Sequence, residues 1–198
     1  MAVSAALVKE LRDKTGAGMM DCKNTLEETQ GDVEKAVELL RKKGIASAEK
    51  RSGRATKEGL IESYIHAGSR LGVLVELNCE TDFVARTDDF KQVAKDIAMH
   101  VAAASPLVVT REELDPAVIE REKDIFATQA RNEGKPDNIV EKISTGKLEK
   151  FYSEVCLEEQ QFVKDPQKTV KEMLKEVSGK LGENMGIRRF CRFQLGQD

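Results

Sequence analysis

In the first 44 residues the apolar positions recur at the three-and-four spacing of short helices, and polar residues between them supply the stops. Ser4 is placed to cap a first helix carrying Leu7 and Leu11, which has to end before Thr15-Gly16-Ala17-Gly18. A second begins near Met19 and runs through Leu26 to about Thr29; Gly31 offers a left-handed stop and Asp32 the next cap. Val33, Ala36, Val37 and Leu40 define a third, with Arg41-Lys42-Lys43 at the negative end of its dipole and Gly44 expected to end it. Helices this short bury little alone. The expectation is a three-helix head over residues 1–46, joined by a polar, basic linker over 47–57 to a core over 58–198.

From Glu58 the period changes to two. Residues 58–66 read as a strand, Ala67-Gly68-Ser69 as its turn, and 71–79 as its partner, with Leu71, Val73, Val75, Leu77 and Cys79 on one face. A third strand is expected over 187–195, where Ile187, Cys191, Phe193 and Leu195 share a face that Arg189 interrupts. Helical spacing returns in between. Phe90, Val93, Ala94, Ile97 and Val101 mark one helix before Pro106, and Asp115-Pro116 opens another through Ile119, Phe126 and Ala130 to Gly134. Ile139, Val140 and Ile143 mark a segment over 136–144, followed by a separate helix with Leu148, Phe151, Tyr152 and Val155. Val170, Met173, Leu174 and Val177 mark the last. The fold class is α+β: a helical head, then a small antiparallel three-stranded sheet covered by helices.

Composition narrows the function classes. Of 198 residues, 34% are charged, 5% are aromatic and none is Trp, which suits solvated helices better than an aromatic-rich β-sandwich. No run approaches the ~18 apolar residues of a membrane helix. The opening Met1-Ala2-Val3-Ser4-Ala5 has no basic lead and no long apolar stretch, so no secretory signal is expected. Cys22, Cys79, Cys156 and Cys191 make no Cys-x-x-Cys pair, and His66 and His100 lack Cys neighbours. Reduced thiols are expected, and no metal site.

The net charge of −3 hides an asymmetry: residues 1–57 hold 12 Lys and Arg against 9 Asp and Glu, the remainder 20 against 26. The basic excess sits in 41–57, where Arg41, Lys42, Lys43, Lys50, Arg51, Arg54 and Lys57 face only Glu49. Such a run either contacts RNA phosphates or forms a solvated helix end with its linker.

No nucleophile–base set is readable. Gly-x-Ser-x-Gly is absent, and Gly16-Ala17-Gly18 has no strand before it and no Gly-Lys-Ser/Thr after it, so no phosphate cradle is expected. A bond-making enzyme is disfavoured and no cofactor is expected. Two features stay odd. Met19-Met20 sets flexible apolar side chains at a helix start, fit for a partner surface or for a core. After Asn78-Cys79-Glu80, Thr81 can cap a helix whose first turn holds Asp82 and Phe83. An aromatic at that corner is either a core plug or a wedge for another protein.

Two long stretches carry a resemblance. Thr15-Gly16-Ala17-Gly18-Met19-Met20-Asp21-Cys22-Lys23 and Val73-Leu74-Val75-Glu76-Leu77-Asn78-Cys79-Glu80-Thr81-Asp82-Phe83-Val84 are similar to signatures of the bacterial-type translation elongation factor Ts family, in its short form with a single core copy. The similarity continues in order through Asn132-Glu133-Gly134-Lys135-Pro136, Phe162-Val163-Lys164-Asp165 and Arg189-Phe190-Cys191-Arg192-Phe193. The family's Leu-Leu-x-Gln-Pro-Phe stands here as Leu157-Glu158-Glu159-Gln160-Gln161-Phe162, departing at Glu158 and Gln161.

The resemblance implies a ubiquitin-associated-like head and a core that grips a GTPase, elongation factor Tu. It implies a guanine-nucleotide exchange factor working in the cytoplasm, with no nucleotide bound by the factor itself. In such a factor Thr81, Asp82, Phe83 and Val84 would dislodge Mg2+ from the partner, and Gly16, Ala17, Gly18, Met19, Met20 and Asp21 would contact it from the head. A homodimer is implied too, two factors with two GTPases, for which an unpaired sheet edge is a natural seam. Cys191 on the last strand can approach its symmetry mate there, whereas a reducing cytoplasm disfavours a disulfide. The alternative is a ribosome- or RNA-associated helical adaptor using residues 41–57, marked by the steep salt dependence of phosphate binding.

Overall fold

The computed structural model describes residues 3–197; Met1, Ala2 and Asp198, at the ends of the expected head and core, lie outside the described residues. In chain order the helices are α1 (Ala5–Thr15), α2 (Met19–Glu28), α3 (Val33–Arg51), α4 (Asp82–Ala85), α5 (Asp88–Ala104), α6 (Pro116–Asn132), α7 (Asp137–Val155) and α8 (Val170–Leu181). The strands are β1 (Glu58–Ile65), β2 (Leu71–Cys79), β3 (Gln161–Phe162), β4 (Asp165–Thr169) and β5 (Met185–Gln194). The fold is α+β, as the periodicity indicates: three N-terminal helices, an antiparallel sheet in the order β1-β2-β5, and further helices. Two compact units divide the chain. One runs to Gly59 and takes in Asn78–Thr87 and Glu172–Gly186; the other comprises Leu60–Leu77, Asp88–Lys171 and the chain from Ile187 onward. Among the described residues no helix is long and apolar enough to cross a membrane.

In the first unit, caps set the helix starts. Ser4 Oγ accepts the Leu7 N–H (3.3 Å), and the Asp32 carboxylate accepts the Lys35 N–H (3.0 Å). Gly16 ends α1 at φ +68°, its N–H donating to Arg12 O at 2.7 Å. Val8, Leu11, Cys22, Leu26 and Ala36 meet in a buried cluster, with Leu7, Val33, Val37 and Leu40 packed around it.

Gly44 does not end α3, contrary to the expectation from sequence; the helix continues to Arg51. The reason is tertiary. A Cβ on Gly179 of α8 would lie 2.8 Å from backbone atoms of Gly44, so the two helices touch backbone to backbone there. Polar bonds flank the contact: Arg41 Nε to Glu176 (2.5 Å), Lys175 to Glu49 (2.8 Å) and Arg51 Nη2 to Ser178 O (3.1 Å). Residues 47–51 are helical because that packing carries the helix past a residue of poor intrinsic propensity.

In the second unit, Val73, Val75 and Leu77 of β2 are buried, as are Phe90, Ala94, Ile97 and Val101 along one side of α5. Arg192 of β5 reaches Ala102 O of α5 at 3.5 Å. The segment over 136–144 and the separate helix expected with Leu148, Phe151, Tyr152 and Val155 are one helix, α7, paired with α6 and tied to it by Lys147 to Gln129 (3.0 Å). The β3–β4 pair was not expected, and with two residues in one strand it has no periodicity to read. Beneath it His100 is buried. Its Nδ1 accepts the Val163 N–H (3.1 Å), so Nε2 is the donor to Gln160 Oε1 (2.9 Å), and burial holds the imidazole below its ordinary pKa.

The last strand differs most from expectation. Met185 and Ile187 are buried, but Arg188 and Arg189 are both exposed and the parity of burial then reverses. Cys191, Phe193 and Leu195, expected on a partly buried face, therefore stand in solvent.

Two glycines separate propensity from packing. Gly179→Ala forces a methyl into the Gly44 backbone and should destabilise the protein by about 1–3 kcal/mol. Gly146→Ala adds a methyl with nothing within 4 Å and should stabilise by up to about 1 kcal/mol. Denaturant unfolding of the two variants checks this, and equal effects would contradict the packing account.

Candidate functional site

Strand β2 leaves the sheet at Cys79 and turns sharply into α4. Thr81 is extended (φ −129°, ψ 155°) and its hydroxyl oxygen receives the Val84 N–H across a long 3.5 Å. The turn is closed behind by Thr87, whose hydroxyl donates to Val84 O at 2.8 Å, and by the Asp82–Arg86 ion pair at 2.7 Å. Ala85 is buried, while Asp82 and Val84 are half-buried. Phe83 is 78% exposed. Of the two readings open in the sequence, the core plug is thereby excluded: the ring stands in water on a four-residue helix.

The backbone beneath it is clamped. The Glu183 carboxylate, from the turn between α8 and β5, accepts the N–H of Glu80 (3.1 Å), the N–H of Thr81 (3.0 Å) and the hydroxyl of Thr81 (2.5 Å). In return Glu80 Oε1 accepts the Asn184 N–H (2.7 Å), a bond that, with nearby Arg54, holds the Glu80 carboxyl below its usual range. Asn184 Nδ2 donates to Ser52 O (3.2 Å) and Arg54 O (2.8 Å) beyond α3. Cys79 donates its thiol proton to Thr81 O at 3.1 Å; burial, with the Glu183 charge adding to it, pushes the thiol up to about 11 and keeps it protonated.

The second set of candidates lies at the α1–α2 corner of the same unit. Gly18 is the N-cap of α2 and offers no side-chain bond, while Asp21 occupies the helix's first turn. Met19 and Met20 are exposed and line a groove of about 610 Å3 with Val3, Ala5, Val8 and the charged Lys9, Arg12, Asp13 and Lys23. Gly16 is confined by Lys180, whose Cε would lie 2.3 Å from a Cβ at that position. Ala17 packs on the head cluster, so within this stretch the methionines are the apolar side chains turned outward.

Sequence reasoning missed Glu183 and Asn184. The available signal was faint: Gly182-Glu183-Asn184 breaks the apolar spacing between helix and strand, with Gly182 at φ +78°. It also left the basic run unresolved. Arg41 is paired with Glu176, Lys42 with Glu38, Lys43 with Glu28 and Arg54 with Glu80, and Arg51 with Ser47 and Ser178 O. Most of that positive charge is already answered within the chain.

The family model described as elongation factor TS matches residues 5–197. Over 197 residues the chain is 60% identical to elongation factor Ts of Geotalea daltonii and to that of Geobacter sulfurreducens, covering 91% of each. It is 56% identical over 195 residues to elongation factor Ts of Caldanaerobacter subterraneus, covering 98% of that protein.

Proposed function

The chain belongs to the elongation factor Ts family, and from that premise we propose that it releases GDP from elongation factor Tu by setting Phe83 against the partner's Mg2+ and phosphate site. Membership makes it a nucleotide exchange factor in translation elongation, and in this reading it makes and breaks no covalent bond. The observation that carries the finer reading is the exposure of Phe83 on a turn whose backbone is fixed from behind. GDP is held in such GTPases largely through phosphate–Mg2+ contacts, so displacing the metal and its loop removes much of the binding energy. Phe83 supplies the apolar wedge, Val84 its flank, and Thr81 and Asp82 fix and charge the turn that carries them. By linkage, the factor weakens GDP binding as much as GDP weakens the factor's.

In this reading the work is cytoplasmic and divided along the chain. The head, residues 1–46, docks through Gly16 to Asp21, where Met19 and Met20 offer an adaptable apolar surface. Residues 47–57 connect it to the core, residues 58–198. The internal pairing of the basic run speaks against an RNA adaptor, because those cations would have to leave carboxylates to meet phosphates.

The factor further works as a homodimer, paired through the sheet face rather than its edge. Ile61 (67% exposed) and Ile65 of β1, Leu74 of β2 and Phe193 (68% exposed) of β5 are exposed. A Cβ on Gly72 would lie 3.0 Å from Ile65, and Arg189 meets Glu76 at 2.7 Å, so these alternate positions share one face. An apolar face of this kind is self-complementary in a two-fold pair, with sheets stacked about 10 Å apart. Cys191 lies on it, in line with Arg189 and Phe193.

Two measurements bear on these readings. Phe83→Ala should change stability by no more than about 0.5 kcal/mol, because the ring is exposed. Losing its burial in the complex, about 1.5–3 kcal/mol, should slow catalysed GDP release roughly ten- to a hundredfold in stopped flow; normal release would refute the wedge. For the dimer, light scattering should give twice the 22.0 kDa chain mass, and Phe193→Asp should give the monomer. A monomeric wild type at tens of micromolar would contradict the pairing.

A further inference from the structure

We propose that Glu183 is a positioning residue for exchange: its carboxylate holds the turn at Thr81 in the one arrangement that presents Phe83 to the partner. This rests on the reading of Phe83 as the wedge. Two backbone N–H groups, of Glu80 and Thr81, follow the last ladder position of β2, and both donate to Glu183 Oε2. Oε1 takes the Thr81 hydroxyl proton, which leaves that hydroxyl's oxygen free to receive the Val84 N–H and start α4. One ionised side chain thus fixes the exit of β2 and, through Thr81, the first turn of the helix that carries Phe83. An ionised carboxylate is the side chain suited to this, since all its sites accept. An amide of the same shape offers one accepting oxygen, and its NH2 would compete with the Val84 N–H for the Thr81 hydroxyl oxygen.

The hold is reciprocal. Glu80 accepts the Asn184 N–H, so residues 80–81 and 183–184 each anchor the other, and Asn184 ties the pair to the carbonyls of Ser52 and Arg54. A turn of four residues with one buried side chain, Ala85, takes its direction from such bonds, and its remaining ones, Thr87 to Val84 O and Arg86 to Asp82, are local to the turn. Released from Glu183, it would still carry Phe83 but in a spread of orientations. Docking would survive while the productive complex became rare, so the loss belongs in the maximal rate rather than in half-saturation.

The test follows stopped-flow release of fluorescent GDP from elongation factor Tu against factor concentration, for wild type, Glu183→Gln, Thr81→Val, Phe83→Ala and the Phe83→Ala/Glu183→Gln double variant. Glu183→Gln and Thr81→Val should each lower the plateau rate about tenfold, the size expected from a lost hydrogen bond to a charged group, with half-saturation within about twofold. On the Phe83→Ala background Glu183→Gln should slow release by less than about twofold, because it acts through that ring. A merely structural role would instead reduce the folded fraction, raising half-saturation and leaving the plateau intact. Should Glu183→Gln fail to fold, Thr81→Val carries the test, since it removes the hydroxyl that Glu183 receives. Wild-type plateaus for both single variants, or effects of Phe83→Ala and Glu183→Gln that multiply, would overturn the role of Glu183 while the wedge stands. A wild-type plateau for Phe83→Ala would fell the wedge and this role together.

Discussion

A phenylalanine ring in water gains nothing from its exposure, so it stays there only when the backbone beneath it has no other course. At Thr81–Ala85 that condition is met by hydrogen bonds. The strand ends, two N–H groups and a hydroxyl converge on Glu183, and the first turn of α4 starts from the same Thr81 hydroxyl. Ala85 turns inward, Phe83 turns outward, and a four-residue helix leaves no room for exchange between them. In the proposed reading, this exposed ring is the contact that elongation factor Tu covers.

The same unit explains the basic run. Helix α3 extends past Gly44 because α8 approaches it without side chains between, and the cations along it meet carboxylates and carbonyls of the chain. A charge pattern that reads as a nucleic-acid footprint is, in three dimensions, a set of intramolecular pairs. Each exposed pair contributes little, about 0–1 kcal/mol. Apolar side chains stand open elsewhere, at the methionine groove on the head and, in the other unit, on one face of the sheet.

What was legible in the sequence was local. Ser4, Asp32, Thr81 and Asp115 cap the helices they were expected to cap, because a cap needs only the next few residues. The alternation of β2 is equally local, and its buried face follows it. Gly44 misled for the opposite reason: whether a glycine ends a helix depends on what packs against it, and there the Gly179 backbone of α8 decides. The strand β5 reads as partly buried on the face of Cys191 and Phe193 because its apolar residues alternate, yet those two side chains face solvent while Phe190, Arg192 and Gln194 are half-buried. Glu183 was invisible because its partners lie about a hundred positions away in the chain, beyond any periodicity. The motif around Phe83 was recognisable, whereas the ring's exposure required the fold.

If the factor acts, as proposed, by displacing the partner's metal, release of GDP must depend on Mg2+ in a particular way. Labelled GDP would be followed from elongation factor Tu with saturating factor and without it, at millimolar free Mg2+ and after chelation. If the Phe83 turn displaces the metal, chelation should speed the unassisted reaction and leave the assisted one nearly unchanged, so that the acceleration by the factor collapses. An acceleration of the same fold with and without Mg2+ would contradict the account.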